Sequence, residues 1–227
     1  MHPKHLTHLT HLTHRLILAL VPLLASLASL PAQAHPHAWI DLRVAVVFDE
    51  AGRITALRQF WRIDPFYSLV LAEEMSTDAR GDTLDEKMAD IGTRMIENLG
   101  PYHYFTEISH AGQPLTGAAA GDYGLSNQAG RLELAFTLTL PEPVDPQAGA
   151  FTYAVFDPSY YIEILHDPEA TVALEGASER CALRIRQPRP DPAVVARAAA
   201  LDASQTGEPD LGRHFTERGE VSCDPAS

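Results

Sequence analysis

Between His37 and Phe48 every second residue is apolar. Ala38, Ile40, Leu42, Val44, Val46 and Phe48 fall on one face, and His37, Trp39, Asp41 and Arg43 on the other. A period of two is the signature of a half-buried β-strand. Asp49-Glu50-Ala51-Gly52-Arg53 follows as a turn, and Ile54 to Ile63 reads as the returning strand of a hairpin.

The pattern then changes. Asp64-Pro65 opens a helix, with Asp64 as N-cap and Pro65 at the first helical position, and the helix carries Phe66, Leu69, Val70 and Met75. A polar loop leads to a second helix. There Thr83 and Glu86 form a capping box, Leu84, Met88, Ile91, Met95 and Leu99 share a face, and Gly100-Pro101 is the stop. Strands are predicted at Tyr102–Ser109, Arg131–Leu140, Phe151–Phe156, Tyr160–Leu165, Thr171–Leu174 and Cys181–Arg186. Turn clusters such as Ser126-Asn127-Gln128-Ala129-Gly130 separate them. Pro192 to Leu201 reads as a short Ala-rich helix and Ser204 to Asp210 as a linker. The expected fold is α+β in a single domain. It is a mostly antiparallel sheet with two helices inserted after the first hairpin and a C-terminal tail pinned by a disulfide.

The first 34 residues are set apart. Lys4 and Arg15 provide a positive start, Leu16 to Leu30 is an apolar run, and Pro31-Ala32-Gln33-Ala34 ends in a small-residue cleavage pattern. The run falls short of the roughly 20 apolar residues of a membrane span. The expectation is a signal peptide over 1–34, cleaved after Ala34. The mature domain, 35–227, is then expected in the periplasm with no stable membrane insertion. The repeated His-Leu-Thr units of the leader, histidines included, leave with it.

Composition narrows the function. With 17 basic and 30 acidic residues the chain stands at −13, a poor partner for nucleic acid, which demands a basic face. Its two cysteines, Cys181 and Cys223, suggest one disulfide in an oxidising compartment. The alternative, a cysteine metal site, would want more thiols or a C-x-x-C spacing.

The residues with most chemical promise open the mature chain. In His35-Pro36-His37 the two imidazoles, at i and i+2 on an extended segment, project to one side about 7 Å apart. They could share an ion, and cleavage would add the amine of His35 as a third donor. Pro36 has no amide proton to lose, so the square of deprotonated backbone nitrogens used by other N-terminal histidine sites is unavailable. A solvent-facing strand start that happens to hold two histidines is the plain alternative. Further along, Asp157-Pro158-Ser159-Tyr160-Tyr161, then Glu163 and His166, would offer a carboxylate, phenols and an imidazole at one edge. A turn cap for Asp157 and a structural role for His166 compete with that reading. Asp64 with Tyr67 forms a third group, for which helix capping is the default. G-x-S-x-G, H-E-x-x-H and glycine-rich phosphate loops are missing from the sequence, and nothing argues strongly for an enzyme.

His35-Pro36-His37-Ala38-Trp39-Ile40, Ile63-Asp64-Pro65-Phe66-Tyr67-Ser68, Tyr102-His103-Tyr104-Phe105-Thr106, Phe156-Asp157-Pro158-Ser159-Tyr160-Tyr161 and Val221-Ser222-Cys223 occur in this order. In these blocks the sequence resembles the exported bacterial family numbered 1007 among the domains of unknown function. Its members are commonly labelled periplasmic components of an uncharacterised ABC-type transport system. The resemblance implies a role in periplasmic transition-metal handling and points to His35, His37, Asp64, Tyr67, Asp157, Tyr160 and Tyr161. Many relatives carry an EF-hand-like loop between the two helices. Here Arg80 stands where a calcium ligand should be, so calcium binding is not expected.

The expected function is that of a periplasmic accessory protein binding Zn²⁺, Ni²⁺ or Co²⁺ for a membrane transporter. His35 and His37 would be the primary ligands, with His166, His103 or Asp157 completing the shell. Copper fits less well, because a soft Cu(I) site wants free thiols. The rival is a metal-free module that docks on an ABC-type transporter. A copper-brace redox enzyme is the third and weakest possibility.

Overall fold

The computed structural model describes residues 36–201, 205 and 207–224. His35 and the leader predicted over 1–34 lie outside the described residues.

Strand β1 (Ala38–Phe48) pairs antiparallel with β2 (Ile54–Ile63), with Ile40 opposite Ile63 and Val46 opposite Leu57. The face chosen by the alternation is the buried one, with Ala38, Ile40, Leu42, Val44, Val46 and Phe48 all in the core. The connecting turn is built by the Asp49 carboxylate, which accepts the backbone N–H groups of Ala51 and Arg53, and by Gly52 at φ 76°.

Helices α1 (Pro65–Thr77) and α2 (Leu84–Leu99) follow, both with the predicted caps. Asp64 accepts the Tyr67 N–H. Thr83 and Glu86 exchange the two bonds of a capping box. Between α2 and β5 (Ala119–Gln128) the approach is close. A Cβ on Gly92 would sit 3.3 Å from Leu125, so glycine at this position lets the helix settle on the strand.

The strand expected from Tyr102 starts later. Gly100–Phe105 is a 3-10 turn, and only Thr106–His110 forms β3. Pro101 has no N–H for a ladder. His103, Tyr104 and Phe105 are all left-handed, at φ 54°, 56° and 53°.

The remaining strands are β4 (Gln113–Leu115), β6 (Arg131–Val144), β7 (Phe151–Val155), β8 (Ile162–His166), β9 (Ala173–Glu175), β10 (Cys181–Arg186) and β11 (Arg218–Cys223). Helix α3 (Pro192–Ala199) packs with Tyr160 and Leu211 in a small separate cluster. β5 is absent from the sequence reading, because Ala-Ala-Gly-Asp-Tyr-Gly shows no alternation. Its partner β6 templates it instead. The two are joined by Ala129-Gly130, both at positive φ, the geometry of a tight hairpin turn.

The expectation of one sheet is corrected to two. The first runs β5-β6-β2-β1-β8, with β9 also on β1. The second runs β10-β11-β7-β3-β4. β8 and β9 meet β1 in parallel, not antiparallel. They reach that edge after a long excursion through the second sheet, so no tight hairpin dictates their direction. The C-terminal segment is pinned by the disulfide as expected, and it forms an inner strand. β11 lies between β10 and β7, with Cys223 opposite Cys181 and the two joined by a disulfide. Such a bond belongs to an oxidising, extracytoplasmic setting. One core collects residues of both sheets, among them Leu57, Trp61, Leu134, Phe136, Phe151, Tyr153 and Val221, with Leu71, Met75, Ile91 and Ile96 from the helices. Among the described residues no helix is long and apolar enough to cross a membrane.

Candidate functional site

His37 stands just ahead of β1, at the end of the sheet where β8 also begins. Its backbone N–H donates to the carbonyl of Tyr161 at 2.9 Å, and its ring stacks on the Tyr161 ring with centroids 4.6 Å apart. Two residues further on, Trp39 exchanges bonds with Asp64. The Asp64 N–H donates to the Trp39 carbonyl at 3.0 Å, and the Trp39 N–H donates to Asp64 Oδ2 at 3.3 Å. Asp64 is almost fully buried, and its other oxygen accepts the Tyr67 N–H at 2.9 Å. The capping role is present, and it also fastens α1 to β1. Tyr67 points back toward the same end. Burial first, then the neighbouring Tyr161, Glu74 and Asp64, raise its hydroxyl above the ordinary phenol range.

The Asp157 block closes the group. Asp157 is buried, and its carboxylate is consumed by the turn it builds. Oδ1 accepts the Ser159 N–H at 2.9 Å, while Oδ2 accepts the N–H groups of Tyr161 and Ile162, both at 3.0 Å. This arrangement drives Tyr160 into the left-handed region at φ 58°, so β8 begins at Ile162 and not at the predicted Tyr160. The Tyr160 ring stacks on Phe215 at 4.3 Å, and its hydroxyl donates to Glu163 Oε1 at 3.4 Å. Burial, then Glu163, pushes the Tyr160 hydroxyl up to about 12. The turn is locked from below by Gly212, where a Cβ would lie 1.9 Å from the Asp157 carbonyl oxygen. The Tyr102–Thr106 block reaches the same region. The Phe156 N–H donates to the Phe105 carbonyl at 2.9 Å, and His103 is exposed on the strained turn just before it.

His166 belongs elsewhere. On β8 it pairs with Leu42, whereas Ile162 pairs with Ala38, so it sits about 13 Å along the strand from the His37 end. Its Nδ1 lies 2.8 Å from Glu217 Oε2 and its Nε2 lies 3.0 Å from the Tyr153 hydroxyl. Glu217 on its part also accepts the His166 backbone N–H at 2.7 Å and the Gln187 amide at 2.6 Å. This buried relay ties β8 of one sheet to β7 and the start of β11 in the other. Burial raises the Glu217 carboxyl, but the bonds from His166 and Gln187 outweigh it and hold the group below the usual carboxylate range. Sequence reasoning found His166 without its partners, because nothing local marks Tyr153 or Glu217 as polar bridges. Among the described residues no group of three or more His, Cys, Asp or Glu side chains is arranged to hold a metal ion.

The fold and this site define a disulfide-stapled, two-sheet α+β domain whose separated motif blocks converge at one sheet end. The chain belongs to the family described as "Protein of unknown function (DUF1007)", whose model matches residues 20–223. It is similar to an uncharacterized protein of Haemophilus influenzae, 26% identical over 200 residues that cover 84% of this chain and 92% of the relative. No solved structure matches the chain.

Proposed function

We propose that the protein is an exported accessory that receives a divalent transition ion, Zn²⁺, Ni²⁺ or Co²⁺, as cargo in the periplasm and serves a membrane transporter. The observation that carries this reading is the convergence of His37, Asp64, Tyr67, Tyr102–Phe105 and Asp157–Tyr161 at one end of the sheet. These blocks are far apart in sequence, and folding places them around the residue next to Pro36 and His35. His37 supplies an imidazole donor, and His35, with its amine once the leader is removed, supplies the rest of an N-terminal chelate. His103 is the exposed imidazole nearest in chain order to this end. His166 and Asp157 are poor candidates for the shell, because their nitrogens and oxygens are already hydrogen-bonded. Imidazole nitrogens suit ions such as Zn²⁺ and Ni²⁺. Both cysteines are in the disulfide, which leaves no thiolate for Cu(I).

The test is competition binding of Zn²⁺, Ni²⁺ and Co²⁺ to protein beginning at His35, to the same protein with one extra N-terminal residue, and to His37→Ala. The reading expects stoichiometric binding that is weakened by either change. It should also fall between about pH 7.5 and about pH 5.5, as imidazole donors protonate. Binding that ignores both changes would overturn it. The second reading, a metal-free module docking on a transporter, is favoured by the shortage of clustered donors among the described residues. It expects no binding to any form.

A further inference from the structure

Helix α1 carries apolar side chains on two opposite sides, with Glu73 sharing the outer one a turn beyond Leu69 and Val70. At 3.6 residues per turn, Ser68, Leu71 and Met75 lie on its buried side, and Phe66, Leu69 and Val70 lie opposite. A surface helix ordinarily carries polar residues there. Instead Phe66 is 70% and Leu69 66% exposed. Trp39, 48% exposed, extends the surface from the strand position bonded to Asp64, the cap of the same helix. Exposed apolar side chains that gather on one surface, rather than scatter singly, mark an interaction site. On the same helix, Tyr67, Leu71 and Glu74 wall a cleft of about 400 Å³ that Tyr102 also lines.

The charges around the stripe narrow the occupant. α1 holds Glu73 and Glu74 and no Lys or Arg. Glu74 is paired with Arg94, whereas Glu73 makes no ion pair among the described residues. Glu163, across from Trp39 on β8, makes none either and accepts only the Tyr160 hydroxyl. Arg62 and Arg131, on the same sheet face, are held by Asp41 and Asp167. The apolar face is therefore bordered by uncompensated negative charge. An anionic bilayer would be repelled, and a second copy of a chain at −13 would bring the same acids together.

We propose that Phe66, Leu69, Val70 and Trp39 form a docking face for a partner-protein segment that carries an apolar anchor between basic flanks. The anchor lies along α1 in the manner of a helix in a groove, with the cleft walled by Tyr67 and Leu71 taking its largest side chain. The face uses none of the proposed metal donors, so its fate is separable from the metal reading.

The test uses the whole exported protein, a labelled amphipathic Leu/Lys helical peptide and its Leu/Glu counterpart, read by fluorescence anisotropy. The Leu/Lys peptide should bind and the Leu/Glu peptide should not. Phe66→Ser/Leu69→Ser and, separately, Glu73→Lys/Glu163→Lys should each weaken binding about tenfold or more. The exposed Phe66→Ser/Leu69→Ser pair should leave the thermal midpoint unchanged. Equal affinity in Phe66→Ser/Leu69→Ser, or equal binding of the acidic peptide, would overturn the proposal. So would a sedimenting dimer that this variant dissolves, which would give the face to a second copy. Flotation with phosphatidylcholine/phosphatidylglycerol vesicles that the same variant abolishes would overturn it in favour of a bilayer.

Discussion

Removing the Cys181–Cys223 bond should cost the fold about 4 kcal/mol. The two cysteines are 42 residues apart in sequence, and the enclosed segment contains β10, α3 and the approach to β11. In the chain-entropy account a closed loop of that size restricts the unfolded chain by roughly that amount at 25 °C. The cysteines are register partners on adjacent antiparallel strands, so the folded state loses no backbone pairing when the bond opens. For a domain of this length, about 4 kcal/mol corresponds to a fall of about 12 °C in thermal midpoint. The assay is thermal unfolding of the oxidised protein against the same protein in a phosphine reductant and against Cys181→Ala/Cys223→Ala. Thiol titration confirms opening, and a denaturant series reads the m-value. The m-value should rise on opening, since the released unfolded chain exposes more surface. A shift below about 2 °C with both thiols demonstrably free would refute the loop-entropy reasoning.

Three further perturbations probe the joints of the structure. Glu217, held low by His166 and Gln187, contributes stability that is present above its unfolded value of about 4.5 and disappears as pH falls through the depressed folded value. Glu217→Gln should therefore lower the thermal midpoint at neutral pH, and the gap to wild type should close as pH falls below about 4.5; a gap that does not change with pH would refute this. Gly212→Ala forces a Cβ into the Asp157 carbonyl and should destabilise by about 1–3 kcal/mol in chemical denaturation, while a neutral result would mean that the Asp157 turn yields freely. Asp64→Ala removes both the α1 cap and the Trp39 bond and should cost about 1–2 kcal/mol, with Asp64→Asn recovering part; an unchanged melting curve would show that the cap is dispensable.

The parts of this fold that can be read from sequence are those written within a few residues. The β1–β2 hairpin follows from alternation and a five-residue turn, and the helix starts follow from Asp64-Pro65 and from Thr83 with Glu86. The disulfide is legible because only two cysteines exist. What escapes is whatever depends on partners distant in the chain. β5 is a strand because β6 lies beside it, and β8 runs parallel because it fills an edge left by the hairpin. The left-handed run His103-Tyr104-Phe105 has none of the glycines that usually announce such a turn. At the site, the motif blocks are visible one by one and their meeting is not. His166 is visible in the sequence, but its partners are not: Tyr153 lies on β7 and Glu217 just ahead of β11.

The order in which strands enter the second sheet also governs when the protein can fold. β11, the last strand in chain order, occupies an inner place between β10 and β7. Until residues 218–223 arrive, β10 and β7 each present an unpaired edge, and the two halves of the Glu217 relay have nothing to join. A chain still being synthesised therefore cannot complete this sheet. Closure has to wait for contacts of long sequence separation, which form slowly. The Cys181–Cys223 bond is subject to the same delay, because its second cysteine sits on this last strand and reaches its partner only when β11 pairs with β10.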